Sequence, residues 1–219
     1  MRFQLLSIHE ASHKIKAPFE PLRLTDLDEY SCFLYRCEGQ MALHRHLEHD
    51  EVFWPLDHPI ELVDEQGQSA LPAGMLARVR RGWRHGSAAQ APAHVLLLSR
   101  GERVLTMNGH YTSLDSAPPE VVAPLVRLAE VADNTPTPLL RCDSLCLYAE
   151  RISGTGTTRE ADHDVLIAPF QGRLGLRCGG LVIVVGEWEI ARIPAGTGWH
   201  LFGDGSVVWM TKERYESKP

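Results

Sequence analysis

Nine short apolar runs, each bounded by Gly, Pro, Asp or His, set the tightest limit on what this 219-residue chain can fold into. They cover residues 31–35, 52–56, 60–63, 75–79, 94–98, 165–168, 181–185, 190–193 and 206–210. Runs of about five residues with turn residues between them are strands of a β sandwich or barrel. One segment departs from this pattern. Across residues 119–131, Val122, Leu125, Val126 and Ala129 recur at three- and four-residue steps behind Pro118 and Pro119, which predicts a short helix. The expectation is an all-β chain with a single short helix near its middle.

An internal repeat organises these strands. SCFLYRCEGQMALHRHLEHDEV from Ser31 lies without a gap over SLCLYAERISGTGTTREADHDV from Ser144, so that Glu51 falls on Asp164. The segment GMLARVRRGWRH, ending at His85, has its counterpart in GEWEIARIPAGTGWH, ending at His200. Two copies of one β unit explain both matches. The expected division is residues 1–112 as a first lobe, 113–138 as a linker holding the helix, and 139–219 as a second lobe.

Composition narrows the function. Hydrophobic residues make up 44% and charged residues 23%, the balance of a folded globular chain. The net charge of -6 is dispersed, and the basic group Arg78, Arg80, Arg81 and Arg84 is too small for a nucleic-acid footprint. The first residues lack the apolar length of a signal peptide and no stretch reaches about 18 apolar residues, so the expectation is a cytoplasmic protein with no nucleic-acid and no membrane partner. Five cysteines without a CxxC pair indicate free thiols, neither a disulfide framework nor a zinc ribbon.

The chemistry concentrates in GQMALHRHLEHDE, which places His44 and His46 two apart and Glu51 five residues later. In a strand, residues i and i+2 point to one face, so both imidazoles can enter one cavity. Imidazole nitrogens and a carboxylate suit Fe(II), Mn(II), Zn(II), Ni(II) or Cu(II). A fourth ligand is available in Gly74-x5-Arg80-x-Gly82-x2-His85, a turn-bearing segment that can return a distant strand beside the first. His49, which alternation turns away from His44, suits an outer hydrogen-bonding role, as does Asp50. Phe53, Trp54 and Trp83 are core residues or the wall of a substrate pocket, and Arg78 and Arg80 are a solvated pair or a grip on an anionic substrate.

Together the two segments resemble the cupin superfamily, whose motifs have the forms G-x5-H-x-H-x3,4-E-x6-G and G-x5-P-x-G-x2-H. This chain has four residues between Gly39 and His44, His58 in the place of the closing glycine, and Arg80 in the place of the proline. These departures fall on turns and leave the ligands in place. The sequence is most similar to small cupin-domain proteins of the mannose-6-phosphate-isomerase-like group. The resemblance implies two tandem cupin lobes of jelly-roll or β-barrel form, with one divalent transition metal ion (Fe, Mn, Zn or Ni) on His44, His46, Glu51 and His85 of the first. It implies a small-molecule ligand or substrate, with Phe53, Trp83, Arg78 and Arg80 as pocket candidates. The reactions it implies are dioxygenation, isomerisation or decarboxylation of a small polar acid or sugar; a non-catalytic, metal-dependent binding module is the alternative. No catalytic acid or base is identifiable, and of monomer and homodimer the dimer is expected. Following the repeat, His44 maps to Thr157, His46 to Arg159, Glu51 to Asp164 and His85 to His200. The second lobe is therefore expected to keep the barrel without the metal, with Arg159 paired to Asp164 or Glu160 and His200 as a hydrogen-bonded core residue.

Overall fold

The computed structural model describes residues 2–100, 118–160 and 162–212. The chain divides into two compact units, Ala11–Ala123 and the combination of Met1–Glu10 with Pro124–Pro219. Among the described residues nearly all regular structure is β, and no helix is long and apolar enough to cross a membrane.

The first unit holds β2 (Leu22–Leu27), β3 (Tyr30–Gln40), β4 (Glu51–Pro55), β5 (Ile60–Val63), β6 (Gln68–Leu71), β7 (Leu76–Val79), β8 (Gly86–Arg100) and β9 (Glu120–Val122). They form one antiparallel sheet in the order β2-β3-β8-β4-β7-β9, with β5 joining β8 and carrying β6. The long β8 is shared. Val95 to Arg100 pairs with β3 on one side and, through Ser99, with β4 on the other, whereas Gly86 to Ala88 pairs with β5. Alternate side chains from these strands meet in one apolar cluster that includes Phe33, Tyr35, Phe53, Trp83, Val95 and Leu97.

The second unit repeats the plan with β10 (Thr137–Cys142), β11 (Leu145–Ile152), β12 (Thr157–Arg159), β13 (Val165–Cys178), β14 (Leu181–Gly186), β15 (Glu189–Ile193) and β16 (Trp199–Lys212). Its eighth strand is β1 (Gln4–Ser7), which pairs antiparallel with β15, Gln4 opposite Arg192. The amino-terminal strand thus belongs to the carboxy-terminal lobe, which moves the expected boundary. The short α1 (Ile8–Ser12) follows β1, and the Ile8 N–H donates to the Trp188 carbonyl at 2.7 Å.

The linker also differs from expectation. Residues 101–117 lie outside the described residues. Glu120–Val122, within the predicted helix, is instead the edge strand β9 against β7, and the helix α2 is only Pro124–Leu128. Pro124 explains the break: proline lacks the N–H that a longer helix would need there and suits the first helical turn.

One ionic clasp recurs in both lobes and fixes the register of the repeat. In the first, Asp50 accepts the Arg78 Nε–H at 2.7 Å and the Arg81 backbone N–H at 2.9 Å. In the second, Asp164 accepts an Nη2–H of Arg192 and the Ala195 backbone N–H at 2.8 Å. The chain separations are identical, 28 and 31 residues in each lobe. Asp164 is therefore the counterpart of Asp50, and the position of Glu51 is taken by Val165, whose place opposite Ile193 matches that of Glu51 opposite Val79. The ungapped alignment is one residue out at this point. Carried forward, the same register places Trp199 where the first lobe has His85. His200 is half-buried, with its Nδ1 3.0 Å from the Thr158 hydroxyl, and is not a core residue.

The two clasps differ in burial, which gives a test. The Arg192 side chain is 6% exposed and that of Arg78 22%. Asp164→Ala, which strands a buried guanidinium, should cost about 3 kcal/mol, and Asp50→Ala about 1–2 kcal/mol. Denaturant unfolding with an unchanged slope reads both, and equal or reversed costs would contradict the clasp's role.

Candidate metal centre

Outside the strand ladders, three main-chain hydrogen bonds join the two motif segments. His44 and His85 exchange N–H···O bonds in both directions, each 2.8 Å, as an isolated antiparallel bridge. The Gly82 N–H donates to the His46 carbonyl at 2.6 Å. Gly82 has φ +83°, a turn conformation that a side chain would strain. Directly opposed residues of an antiparallel pair sit about 5 Å apart, so the bridge alone brings His44 and His85 together, although 41 positions separate them in the chain. Their rings lie 4.6 Å apart, and the His44 and His46 rings 5.0 Å, as expected of i and i+2 on one face.

Glu51, the first residue of β4, completes the group. Its Oε2 is 3.1 Å from His85 Nε2 and 3.2 Å from His46 Nε2. One ligand atom from each of His44, His46, Glu51 and His85 falls within 4.8 Å of the others, and all four residues are at least 95% buried. The sequence-predicted quartet is thus brought together.

The hydrogen-bonding pattern is electron-rich and short of donors. His44 Nδ1 faces the Ala42 carbonyl at 3.2 Å, and His85 Nδ1 faces the Trp83 carbonyl at 3.0 Å. A carbonyl only accepts, so each Nδ1 carries a proton; His44 Nε2 then presents a lone pair, whereas His85 Nε2 is hydrogen-bonded to the Glu51 carboxylate. His44 Nε2, His46 Nε2 and Glu51 Oε1 are buried without a hydrogen-bond partner. Although His46 Nε2 lies near the carboxylate, the pair lacks hydrogen-bond geometry. Burial, with His85 beside it, lowers the His44 imidazole to about 4, so it is neutral near pH 7. Burial alone would raise the Glu51 carboxyl, but His46 and His85 outweigh it and hold it well below the usual carboxylate range. A buried carboxylate with a free oxygen beside unpartnered imidazole nitrogens is a donor set that could hold a cation. Ligands on opposite sides of an ion with bonds of about 2.2 Å stand about 4.4 Å apart, so the donor set fits a transition-metal ion with small adjustments.

The surroundings hold the quartet in place. Trp83 stacks on His85 with centroids 5.8 Å apart and planes 7° apart, and Phe53 meets the same ring edge-on at 5.8 Å. His49, which alternation alone would turn away, is buried and stacked on His46 at 4.8 Å. Trp54 is buried as well. Arg78 is engaged by Asp50 and, at 3.5 Å, by Glu120; Arg80 is exposed beyond the end of β7. Neither arginine joins the buried quartet. The sequence reading misses the buried hydroxyl pair of Tyr35 and Ser87, 3.2 Å apart. Ser87 lies two residues beyond His85 on the same face, and that alternation is the signal that could find it.

In the second lobe the corresponding interior holds an ion pair. Arg159 donates from Nη2 to Glu150, not to Asp164 or Glu160, and to the Thr157 hydroxyl at 2.8 Å. Its guanidinium lies over the Trp199 ring, 5.2 Å from the centroid.

No family model matches the chain, and no curated protein matches it in sequence. Its structure is similar to several solved ones. A cupin 2 conserved barrel domain protein from Leptotrichia buccalis superposes with a TM-score of 0.70 at 9% identity over 96% of both chains. Protein Ylba from E. coli gives 0.72 at 13% identity, covering 100% of this chain and 93% of that one. Salicylate 1,2-dioxygenase from Pseudaminobacter salicylatoxidans gives 0.75 at 8% identity, over 96% of this chain and 84% of that one. With two β lobes of one plan and these likenesses along its whole length, the chain has the tandem cupin fold.

Proposed function

We propose that the first lobe is a mononuclear metal centre, with His44, His46, Glu51 and His85 as ligands, that acts on a small molecule. The observation that carries this reading is the buried quartet itself, in which three imidazoles and a carboxylate converge and His44 Nε2, His46 Nε2 and Glu51 Oε1 have no hydrogen-bond partner among the described residues. An isolated carboxylate in such a place costs several kcal/mol unless a cation pairs with it.

The residues divide the work. Ala42 and Trp83 fix the imidazole tautomers of His44 and His85 through their carbonyls. The Asp50 clasp anchors the residue next to Glu51, and the Trp83 and Phe53 rings hold His85 and keep water from it. A divalent ion here supplies Lewis acidity to a bound oxygen, or redox chemistry where the metal is iron or manganese. His44, His46, Glu51 and His85 would hold the ion, and a small molecule would meet it where these four do not. Likeness to salicylate 1,2-dioxygenase, which another solved structure presents with gentisate, supports metal-dependent oxidation of a small acid as the reaction class.

Metal analysis of protein purified without chelators or a nickel column should find one transition-metal ion per chain. His46→Ala should reduce it to a trace while the far-ultraviolet spectrum is kept, since His46 adds nothing to the apolar cluster around Phe33 and Leu97. A His46→Ala variant that retains a full equivalent of metal would refute the ligand set.

The proton dependence of the metal-free protein follows from His44. An unfolded imidazole protonates near 6.5, the folded one only near 4. Between those values the unfolded state binds more protons, so stability falls as the pH drops from 6.5 to about 4. Glu51 acts in the same direction at lower pH, because its folded carboxyl resists protonation where an unfolded one accepts it. Thermal unfolding followed across pH 4–7 should show this decline, with a shallower slope in His44→Leu. A pH-independent midpoint would contradict the burial of neutral His44.

A further inference from the structure

The second lobe carries two buried hydrogen-bond donors that nothing among the described residues accepts. Arg159 is 5% exposed and Trp199 1% exposed. They face each other as a register pair across β12 and β16. Arg159 Nη1 and Trp199 Nε1 both lack a partner, although Arg159 Nη2 is bonded twice. The guanidinium carbon lies 5.2 Å from the Trp199 ring centroid and 6.0 Å from that of Trp209, and Tyr148 stacks on Trp209 at 4.3 Å. Buried donors without acceptors are rare, and each marks a strained position or a missing partner.

The charges say what kind of partner fits. Both Glu150 oxygens are taken, Oε1 by Arg159 and Oε2 by the Trp209 Nε1–H at 3.2 Å. Burial raises the Glu150 carboxyl against the pull of Arg159, but a carboxyl that accepts an N–H at each oxygen is matched as the anion. Arg159 and Glu150 are then charge-balanced. An added carboxylate would leave one negative charge uncompensated in an aromatic interior, a heavy penalty, whereas a neutral carbonyl oxygen takes both donors without one.

We propose that the interior of the second lobe is a binding site for a small uncharged compound with a carbonyl-type acceptor and an apolar body. The acceptor bonds Arg159 Nη1 and Trp199 Nε1, and the body packs against Trp199, Trp209 and Tyr148. This site is separate from the metal quartet and does not depend on it.

Benzamide and benzoate, which share one ring and differ in charge, test this on the full chain. Five tryptophans give five indole N–H resonances, and Trp199→Phe, which keeps an aromatic ring in place, identifies that of Trp199 by its loss. Benzamide should shift this resonance saturably with a dissociation constant on the order of 1–10 mM, as expected of a fragment of its size. Benzoate should need at least roughly tenfold more. The shift should persist in His46→Ala. An unmoved Trp199 resonance, or a stronger response to benzoate than to benzamide, would overturn the proposal. So would a crystal soaked in benzamide that shows only a water bridging Arg159 and Trp199. Should Trp199→Phe fail to fold, the soaked crystal still decides the question.

Discussion

The reciprocal main-chain bridge between His44 and His85 is the contact on which the first lobe's chemistry rests. The β4–β7 ladder joins the far ends of the two motif segments, and the bridge holds the histidine-bearing parts of both against each other. Its effect is geometric: two backbone bonds place two imidazoles opposite each other, and strand alternation adds His46 on the same face. Gly82, in a backbone conformation open to few other residues, lets the returning segment bond the His46 carbonyl and closes the frame. Glu51 enters from β4, whose position is set independently by pairing with β7 and β8.

The same frame holds a different charge pattern in the second lobe. The Asp164 clasp keeps the chain path, as Asp50 does in the first. The residues that follow it diverge: Val165 replaces the carboxylate and Trp199 the imidazole, so an apolar atom and an indole N–H stand where two ligands would. The cation of the second interior is covalent, the Arg159 guanidinium, and its counter-ion is Glu150 from β11. Each lobe thus joins a carboxylate to positive or cation-seeking groups, but only the first leaves lone pairs pointing inward.

Much of this was legible in the sequence, and the failures have physical causes. The run at 60–63 matches β5 end to end because glycine, proline or acidic residues flank it closely. Strands β8 and β13 are far longer than the runs at 94–98 and 165–168 suggest. Pro92 lies within β8, and β13 bulges against β16 between Pro169 and Gln171, so residues that normally end strands here lie inside bent ones. β1 and β9 are three- or four-residue edge strands whose partners lie far along the chain, and no local pattern announces them. The candidate quartet was legible because its residues sit at fixed spacing in two short segments. The true register of the repeat was not, since DHDV in the second copy reads equally well against HDEV at two offsets, and the hydrogen bonds of Asp50 and Asp164, with the strand pairing of Glu51 and Val165, separate them.

That one-residue difference decides what the second lobe can bind. If Asp164 stood for Glu51, the second interior would retain a carboxylate ligand beside Arg159, and His200 would supply an imidazole, the remains of a weakened metal site. With Asp164 committed to Arg192 and the Ala195 N–H, neither of its oxygens is available to a ligand. His200, half-buried and bonded to Thr158, lies on the other side of the strand from Trp199, as neighbouring residues must. The unpaired polar atoms beside the ion pair are therefore donors, where those of the first lobe's quartet include a carboxylate oxygen and imidazole nitrogens. An interior with an unpaired carboxylate oxygen and imidazole nitrogens suits a cation, and one with unpaired donors around a balanced ion pair suits a neutral acceptor. One scaffold occurs twice in the chain, and the polar atoms it leaves unpaired differ between the two copies.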